Sequence, residues 1–299
     1  MKRLSIIIVT YNSEGDIYDC LTSLWQYCDI DRESIEVIIV DNSPECEPMF
    51  TKLHKLYGDG IVLIHNTHNG GYGQGNNVGI RRATAPVVLI MNPDVRLCEP
   101  LFSTAIAAFE KDKSLCMYGM KQMLSAEIKS PLSFDCSRRI NGYLIPLISS
   151  LCNKLDLYIP RIMYLQGSCF FVSKEKMEDI GLFDEDIFMY GEEDDIHWRL
   201  QRRFGTHFKY NAHLRYLHLA LERPMSLDIE QKMVASIALS NGKKGYTRQF
   251  TYQNFVRYHR VRLLSTYIKK ALGRKDAQQQ IDILRTVIQN FKQQSKKEQ

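Results

Sequence analysis

Residues 4–13 read LSIIIVTYNS. The run Leu4–Thr10 is short, continuous and mostly β-branched. That composition predicts a strand buried on both faces, as in a parallel sheet. It ends abruptly on polar Thr10, Tyr11 and Asn12. Working outward, the same pattern returns in Ile35–Asp41 (IEVIIVD), followed by Asn42, and in Val87–Met91 (VVLIM), followed by Asn92-Pro93-Asp94. Between them, Ile17, Cys20, Leu21 and Leu24 fall at helical spacing in Asp16–Gln26. Phe50–Tyr57 and Gly75–Ala85 also read as helices, and Ile61–His65 as a strand. Strand and helix in alternation predict a mostly parallel sheet flanked by helices. Beyond it, Phe102–Phe109 is helical, and Tyr164–Val172 and Phe208–Leu217 are strand-like. Leu227–Ile237 and Phe255–Leu272 return to helical spacing. The stretch Ser125–Pro160, with three prolines and no clean period, reads as an insertion over the site. No internal repeat is present.

In such a sheet, ligands bind beyond the carboxyl ends of the strands. Three strands there end in polar residues, which makes a nucleotide pocket at that edge. After the third strand comes NGGYGQGNNVGI, Asn69–Ile80, read as a flexible glycine loop entering a helix. Glycines let a backbone approach a ligand, and helix amides favour anions. The spacing matches neither the dinucleotide fingerprint nor a P-loop. Asp94, at the end of a buried strand, suits a Mg²⁺ or Mn²⁺ that also holds a diphosphate.

The densest chemistry lies in GLFDEDIFMYGEEDDIHWRL, Gly181–Leu200, which carries seven acidic residues. Crowded carboxylates raise one another's pKa and suit one for general-base work, while acids in a first helical turn also complement its dipole. Asp195 is the member expected to cap the helix or hold Arg199. His218, after a strand, becomes a candidate neutral metal ligand once a metal is suspected.

Composition narrows the class. The chain has 299 residues, 44% of them apolar and 24% charged, enough for one sizeable core and an appendage. The net charge of +5 suits phosphates or an anionic membrane surface. It does not indicate nucleic acid, because no spaced zinc ligands or RNP-like aromatics accompany it. Eight scattered cysteines without C-x-x-C read as core thiols in a reducing compartment. No signal-like segment opens the chain and no apolar run reaches membrane length. These features predict a cytoplasmic protein, peripheral at the inner face of the membrane if its basic helix binds lipid.

Together these segments resemble the family 2 glycosyltransferases of the GT-A fold, in particular the rhamnosyltransferase-like bacterial branch. The motifs are SIIIVTYNS, VDNS at Val40–Ser43, NGGYGQGNNVGI, MNPD at Met91–Asp94, QGSCFFVSK at Gln166–Lys174 and the acidic segment. The resemblance implies a GT-A domain over 1–222, with a nucleotide half to about residue 100 and an acceptor half beyond it. It is followed by a helical extension over 223–290 and a disordered tail over 291–299. It implies that Thr10, Tyr11, Asn12, Asp41 and Asn42 contact the nucleoside, and that Asn69, Gly70, Asn77 and Asn92 line the donor. Asp94 matches the last acid of the family's D-x-D motif, whose first acid is replaced by Asn92. Asp94 and His218 would bind Mg²⁺ or Mn²⁺. Glu193 falls on the usual base, with Asp194 as the second candidate, and Gly167, Ser168 and Glu192 lie on the acceptor side.

The implied reaction is an inverting transfer from a dTDP-, UDP- or GDP-sugar to a saccharide or lipid-linked acceptor in cell-surface polysaccharide synthesis. Two other readings stand beside it: a catalytically silent nucleotide-sugar-binding protein, and a sugar nucleotidyltransferase. The latter would need a basic glycine-rich signature near the first strand. In Arg257–Lys275, Val261, Leu264, Ile268 and Leu272 form one stripe among many cations, predicting either a membrane-surface helix or one packed on the domain. The residues specify neither the oligomeric state nor the donor sugar.

Overall fold

The computed structural model describes residues 1–219 and 226–298. In chain order the elements are β1 (Leu4–Thr10), α1 (Glu14–Gln26), β2 (Ile35–Asp41), α2 (Glu47–Tyr57), β3 (Ile61–His65), α3 (Gly71–Arg82) and β4 (Val87–Met91). Then come β5 (Val95–Leu97), α4 (Phe102–Lys111), β6 (Met117–Met123), β7 (Phe134–Cys136), α5 (Ile145–Lys154), β8 (Met163–Leu165) and β9 (Cys169–Ser173). The last are α6 (Lys174–Asp179), α7 (Glu192–Phe204), β10 (Phe208–His218), α8 (Leu227–Lys243), α9 (Arg248–Ala271) and α10 (Ala277–Lys297). They fall into two compact units. One is built from 1–133, 165–188 and 195 through β10; the other from 134–164, 189–194 and the helices α8, α9 and α10.

The first unit holds an eight-stranded sheet in the order β3-β2-β1-β4-β9-β6-β10-β5. The four strands from β3 to β4 are parallel. β9 then runs antiparallel to both β4 and β6, and β5 antiparallel to β10. The double-sided burial expected of the first run is present. Leu4, Ile6 and Ile8 pack into the main core with Leu21 and Leu24 of α1, Leu53 of α2 and Phe102 of α4. Ile7 faces α3 instead, so closely that a β-carbon on Gly79 would lie 2.5 Å from Ile7 Cγ2.

Two elements differ from the sequence expectation. The glycine stretch is not a loop before a helix at Gly75: α3 already begins at Gly71. Gly71 has φ +88°, and a β-carbon there would meet the Phe188 carbonyl oxygen at 1.9 Å. These glycines admit protein backbone and side chains, which costs helix propensity and gains close packing. The run Tyr164–Val172 is two strands, because residues 166–168 leave the ladder between β8 and β9.

The second unit holds the two-stranded sheet β7-β8, α5 and the long helices. Its core joins Val234 and Ile237 of α8, Phe255 and Val256 of α9, and Val287, Ile288 and Phe291 of α10. The tail expected to be disordered from 291 is the end of α10, which runs to Lys297 with Phe291 and Ser295 buried. Ile281, Leu284, Ile288, Phe291 and Ser295 recur every three or four residues, so one face extends into the polar stretch. Inside this unit Glu230 meets Arg262 at 3.0 Å and His259 at 3.3 Å. Burial raises the Glu230 pKa, but hydrogen bonding and charge from His259, then Arg262, bring it down to about 2. No helix among the described residues is long and apolar enough to cross a membrane.

Candidate active site

β1, β2 and β3 pair in register, so their carboxyl ends form one edge. Tyr11, Asn42, Ser43, His65 and Asn69 line a small cleft there of about 250 Å³. Beneath it Asp41 is fully buried. Its Oδ1 accepts from Thr10 Oγ1 at 2.7 Å and from Ser43 Oγ at 2.9 Å. Its Oδ2 is buried without a hydrogen-bond partner among the described residues. A buried carboxylate oxygen left unmatched is costly, and it gains most from a donor that a ligand supplies. Ser43 Oγ also accepts from the Asn12 amide at 2.8 Å, which holds Asn12 at φ +50° beside the cleft. Ser43 closes the VDNS motif, and the motif alone does not mark it as a site residue. Its hydroxyl joins two strand ends, a role visible only once those ends are adjacent.

Asn42 donates from Nδ2 to the Gly71 carbonyl at 3.2 Å and to Asn69 Oδ1 at 3.4 Å. Asn69 Oδ1 also accepts from the Gly71 amide. Asn42, Asn69 and Gly70 are therefore drawn together at the entry to α3. Asn77 is not among them. It is fully buried, donates to the Phe183 carbonyl and Glu185 Oε1, and accepts from the Phe183 amide. Asn77 thus clamps the turn at residues 183–185. A motif records an amide's position but not its partner.

At the far edge, the antiparallel pairing of β5 with β10 sets Val95 opposite His218. That register brings His218 Nε2 within 3.3 Å of Asp94 Oδ1, both groups half-buried. The Leu219 amide closes the corner on the Asp94 carbonyl at 3.0 Å. The two candidate metal ligands, far apart in the chain, are neighbours. Among the described residues no third His, Cys, Asp or Glu joins them. Asn92 is half-buried, with its amide donating to the Ser168 carbonyl at 2.8 Å. Arg96, unremarked in the sequence, donates to the Pro93 carbonyl at 2.9 Å and so braces the turn that carries Asp94.

Gly167 and Ser168 occupy the bend before β9. The Gly167 carbonyl accepts from Tyr72 Oη at 2.5 Å. Ser168 is buried, with its hydroxyl in a network with Gln122 and Tyr216. Gln122 and Tyr216 thus surround the Ser168 hydroxyl with polar partners.

The four acids opening α7 occupy different surroundings. Within the second unit, Asp194 is buried, 3.8 Å from Arg139, and accepts from the Arg138 amide at 3.3 Å. Burial pushes its pKa up, but Lys244, Arg139 and hydrogen bonds from Ser137 and Arg138 hold it below the usual carboxylate range. Glu192 is buried and Glu193 half-buried. Asp195, in the first unit, pairs with Arg199 Nε at 2.7 Å, as its position one helical turn away anticipated. Arg199 in turn donates to the Ile180 and Leu182 carbonyls. Tyr190, just ahead of the acids, has φ +73°, an uncommon conformation that marks a sharp entry into the helix.

A parallel sheet edge with polar strand ends and mixed strands beyond it is the GT-A architecture, and solved GT-A structures superpose on this chain. One is the mannosyltransferase PcManGT of Pyrobaculum calidifontis, solved with GDP-Man and Mn²⁺. It has a TM-score of 0.62 at 15% identity, covering 96% of this chain and 85% of that one. Another is S. aureus TarS 1-349, with a TM-score of 0.54 at 16% identity, covering 86% and 70%. At such identities the likeness shows the fold alone. Residues 5–132 match the model described as Glycosyl transferase family 2. The low-salt glycan biosynthesis hexosyltransferase Agl10 of Haloferax volcanii is 30% identical over 216 residues, 68% of this chain and 62% of that protein. The uncharacterized glycosyltransferase YfnE of Bacillus subtilis is 25% identical over 278 residues, 79% and 69%. Residues 5–132 thus match the family 2 glycosyltransferases. The chain spans 62% and 69% of the lengths of these two curated relatives.

Proposed function

We propose that this protein is an inverting glycosyltransferase. It moves a sugar from a dTDP-, UDP- or GDP-linked donor to a hydroxyl of a saccharide or lipid-linked acceptor in cell-surface polysaccharide synthesis. The observation that carries the reading is the pair Asp94 and His218, set together by the β5–β10 register. One oxygen and one nitrogen ligand fit Mg²⁺ or Mn²⁺, since such a cation fills its remaining positions with phosphate oxygens and water. When bound, it would offset the charge gathering on the departing nucleoside diphosphate. The protein's own contributions are separate. Tyr11 and Asn42, which line the cleft, would contact the nucleoside together with Thr10, Asn12 and Asp41, whose unmatched oxygen would take a donor from it. Asn69, Gly70 and Asn92 would line the donor, and Gly167 and Glu192 the acceptor side.

Glu193 takes the proton from the acceptor hydroxyl as that oxygen attacks the anomeric carbon. The C–O bond to the diphosphate breaks on the opposite face, so configuration inverts in one displacement. Asp194 is less suited to the task, because Lys244 and Arg139 hold its pKa low and one of its oxygens accepts from the Arg138 amide. Incubation of the protein and Mn²⁺ with dTDP-, UDP- and GDP-sugars should release nucleoside diphosphate from at least one donor. Asp94→Ala should abolish that release. Binding of a donor without turnover on any acceptor tested would replace the transfer reading with a silent nucleotide-sugar-binding protein.

A further inference from the structure

We propose that the C-terminal helical unit docks the protein on an anionic phospholipid bilayer, through the outward leucines of α5 and a basic groove beside them. The first observation is that α5 is amphipathic in reverse. Its buried positions are Ile145, Ser149, Cys152 and Asn153. Two of these are polar and spend their groups inward: Ser149 Oγ on Asp135, and Asn153 Nδ2 on the Phe134 carbonyl at 2.8 Å. The outward row is Leu144, Leu147, Leu151 and Leu155, each 48–61% exposed. A surface helix normally turns its leucines to the core, and a contiguous apolar row left outside marks an interaction site.

The second observation is charge. Tyr143 directly precedes that row, and its hydroxyl accepts from Arg260 Nη1 at 2.9 Å. The same tyrosine lines a groove of about 700 Å³ between α9 and α10, where Arg257, Arg260, Lys292 and Lys296 project and, among the described residues lining it, no acid does. The face of α9 that begins with Arg257 and Arg260 continues to Leu264 and Ile268, which are 64% and 57% exposed. Apolar rows laid beside unneutralised cations are the signature of a surface that sits at an anionic lipid interface. There the leucines enter the headgroup–acyl boundary and the cations meet phosphates. Of the stripe on α9, Leu264, Ile268 and Leu272 are exposed and Val261 is half-buried, and α5 supplies a second row within the stretch 125–160. This inference does not rest on the transfer reaction.

Flotation of the full chain with phosphatidylcholine vesicles, with and without phosphatidylglycerol, tests it. The protein should float with the anionic vesicles and stay behind with the neutral ones. Leu147→Ser combined with Leu151→Ser, at exposed positions, should remain at the bottom while melting at the wild-type temperature. Each of Arg257→Gln, Lys292→Gln and Lys296→Gln should weaken binding by roughly fivefold. Inorganic phosphate in excess should not release the protein. Equal flotation of the leucine variant, no flotation of the wild type, or release by inorganic phosphate alone would overturn the proposal, the last in favour of a soluble-anion site. A wild-type dimer that becomes a monomer with the leucine changes, without flotation, would assign the row to a second copy.

Discussion

Four consecutive carboxylates open α7, and their surroundings give them different work. Asp195 pairs with Arg199 and Asp194 lies near Arg139, while Glu192 is buried and Glu193, the proposed base, is half-buried. Glu193→Gln should lower kcat by roughly a hundredfold to ten-thousandfold, the usual contribution of a positioned base, with donor affinity unchanged. Asp194→Asn should behave differently. It strands buried positive charge, so the protein should lose on the order of 3 kcal/mol of stability, seen as a lower denaturation midpoint. At this scale the sequence was partly legible. Asp195 with Arg199 could be read from helical spacing, because that contact is local. The clamp made by Asn77 and the internal bonding of Ser168 could not, since their partners are brought up by the fold from distant segments.

Among the elements, α3 depends on closeness. Gly71→Ala would drive a β-carbon into the Phe188 carbonyl and force an alanine into the left-handed region. The expected result is a thermal midpoint several degrees below wild type, from strain of at least about 1–2 kcal/mol. The strands were legible because a short β-branched run admits little else. The start of α3 was not, because glycine's low helix propensity hid a helix that packing stabilises. The α8–α9 pair makes a pH prediction. Glu230 falls from 4.5 to about 2 on folding, so the folded chain refuses a proton that the unfolded chain accepts. Its contribution is fully present above pH 4.5 and disappears as the pH falls toward 2. Urea denaturation across that window should show wild-type stability falling by an amount on the order of 3 kcal/mol more than that of Glu230→Gln.

For the whole molecule, the family-level fold could be read from the order of motifs, because each strand end carries its own polar signature. The division into units was less accessible. Residues 134–164 join the C-terminal helices. Their affiliation is set by side chains such as Asn254, which donates to the Arg138 and Ile140 carbonyls and has no local spacing to announce it. The neighbourhood of Asp94 and His218 likewise follows from sheet order, with β5 added at the edge beside β10. The proposed transfer depends on that pair, and calorimetric titration with UDP, dTDP and GDP, with and without Mn²⁺, is its sharpest test. At least one nucleotide should bind tightly only with the cation, keep that affinity in Glu193→Gln and lose it in Asp94→Ala. Equal affinity with and without Mn²⁺, or in Asp94→Ala, would contradict a cation held by Asp94 and His218.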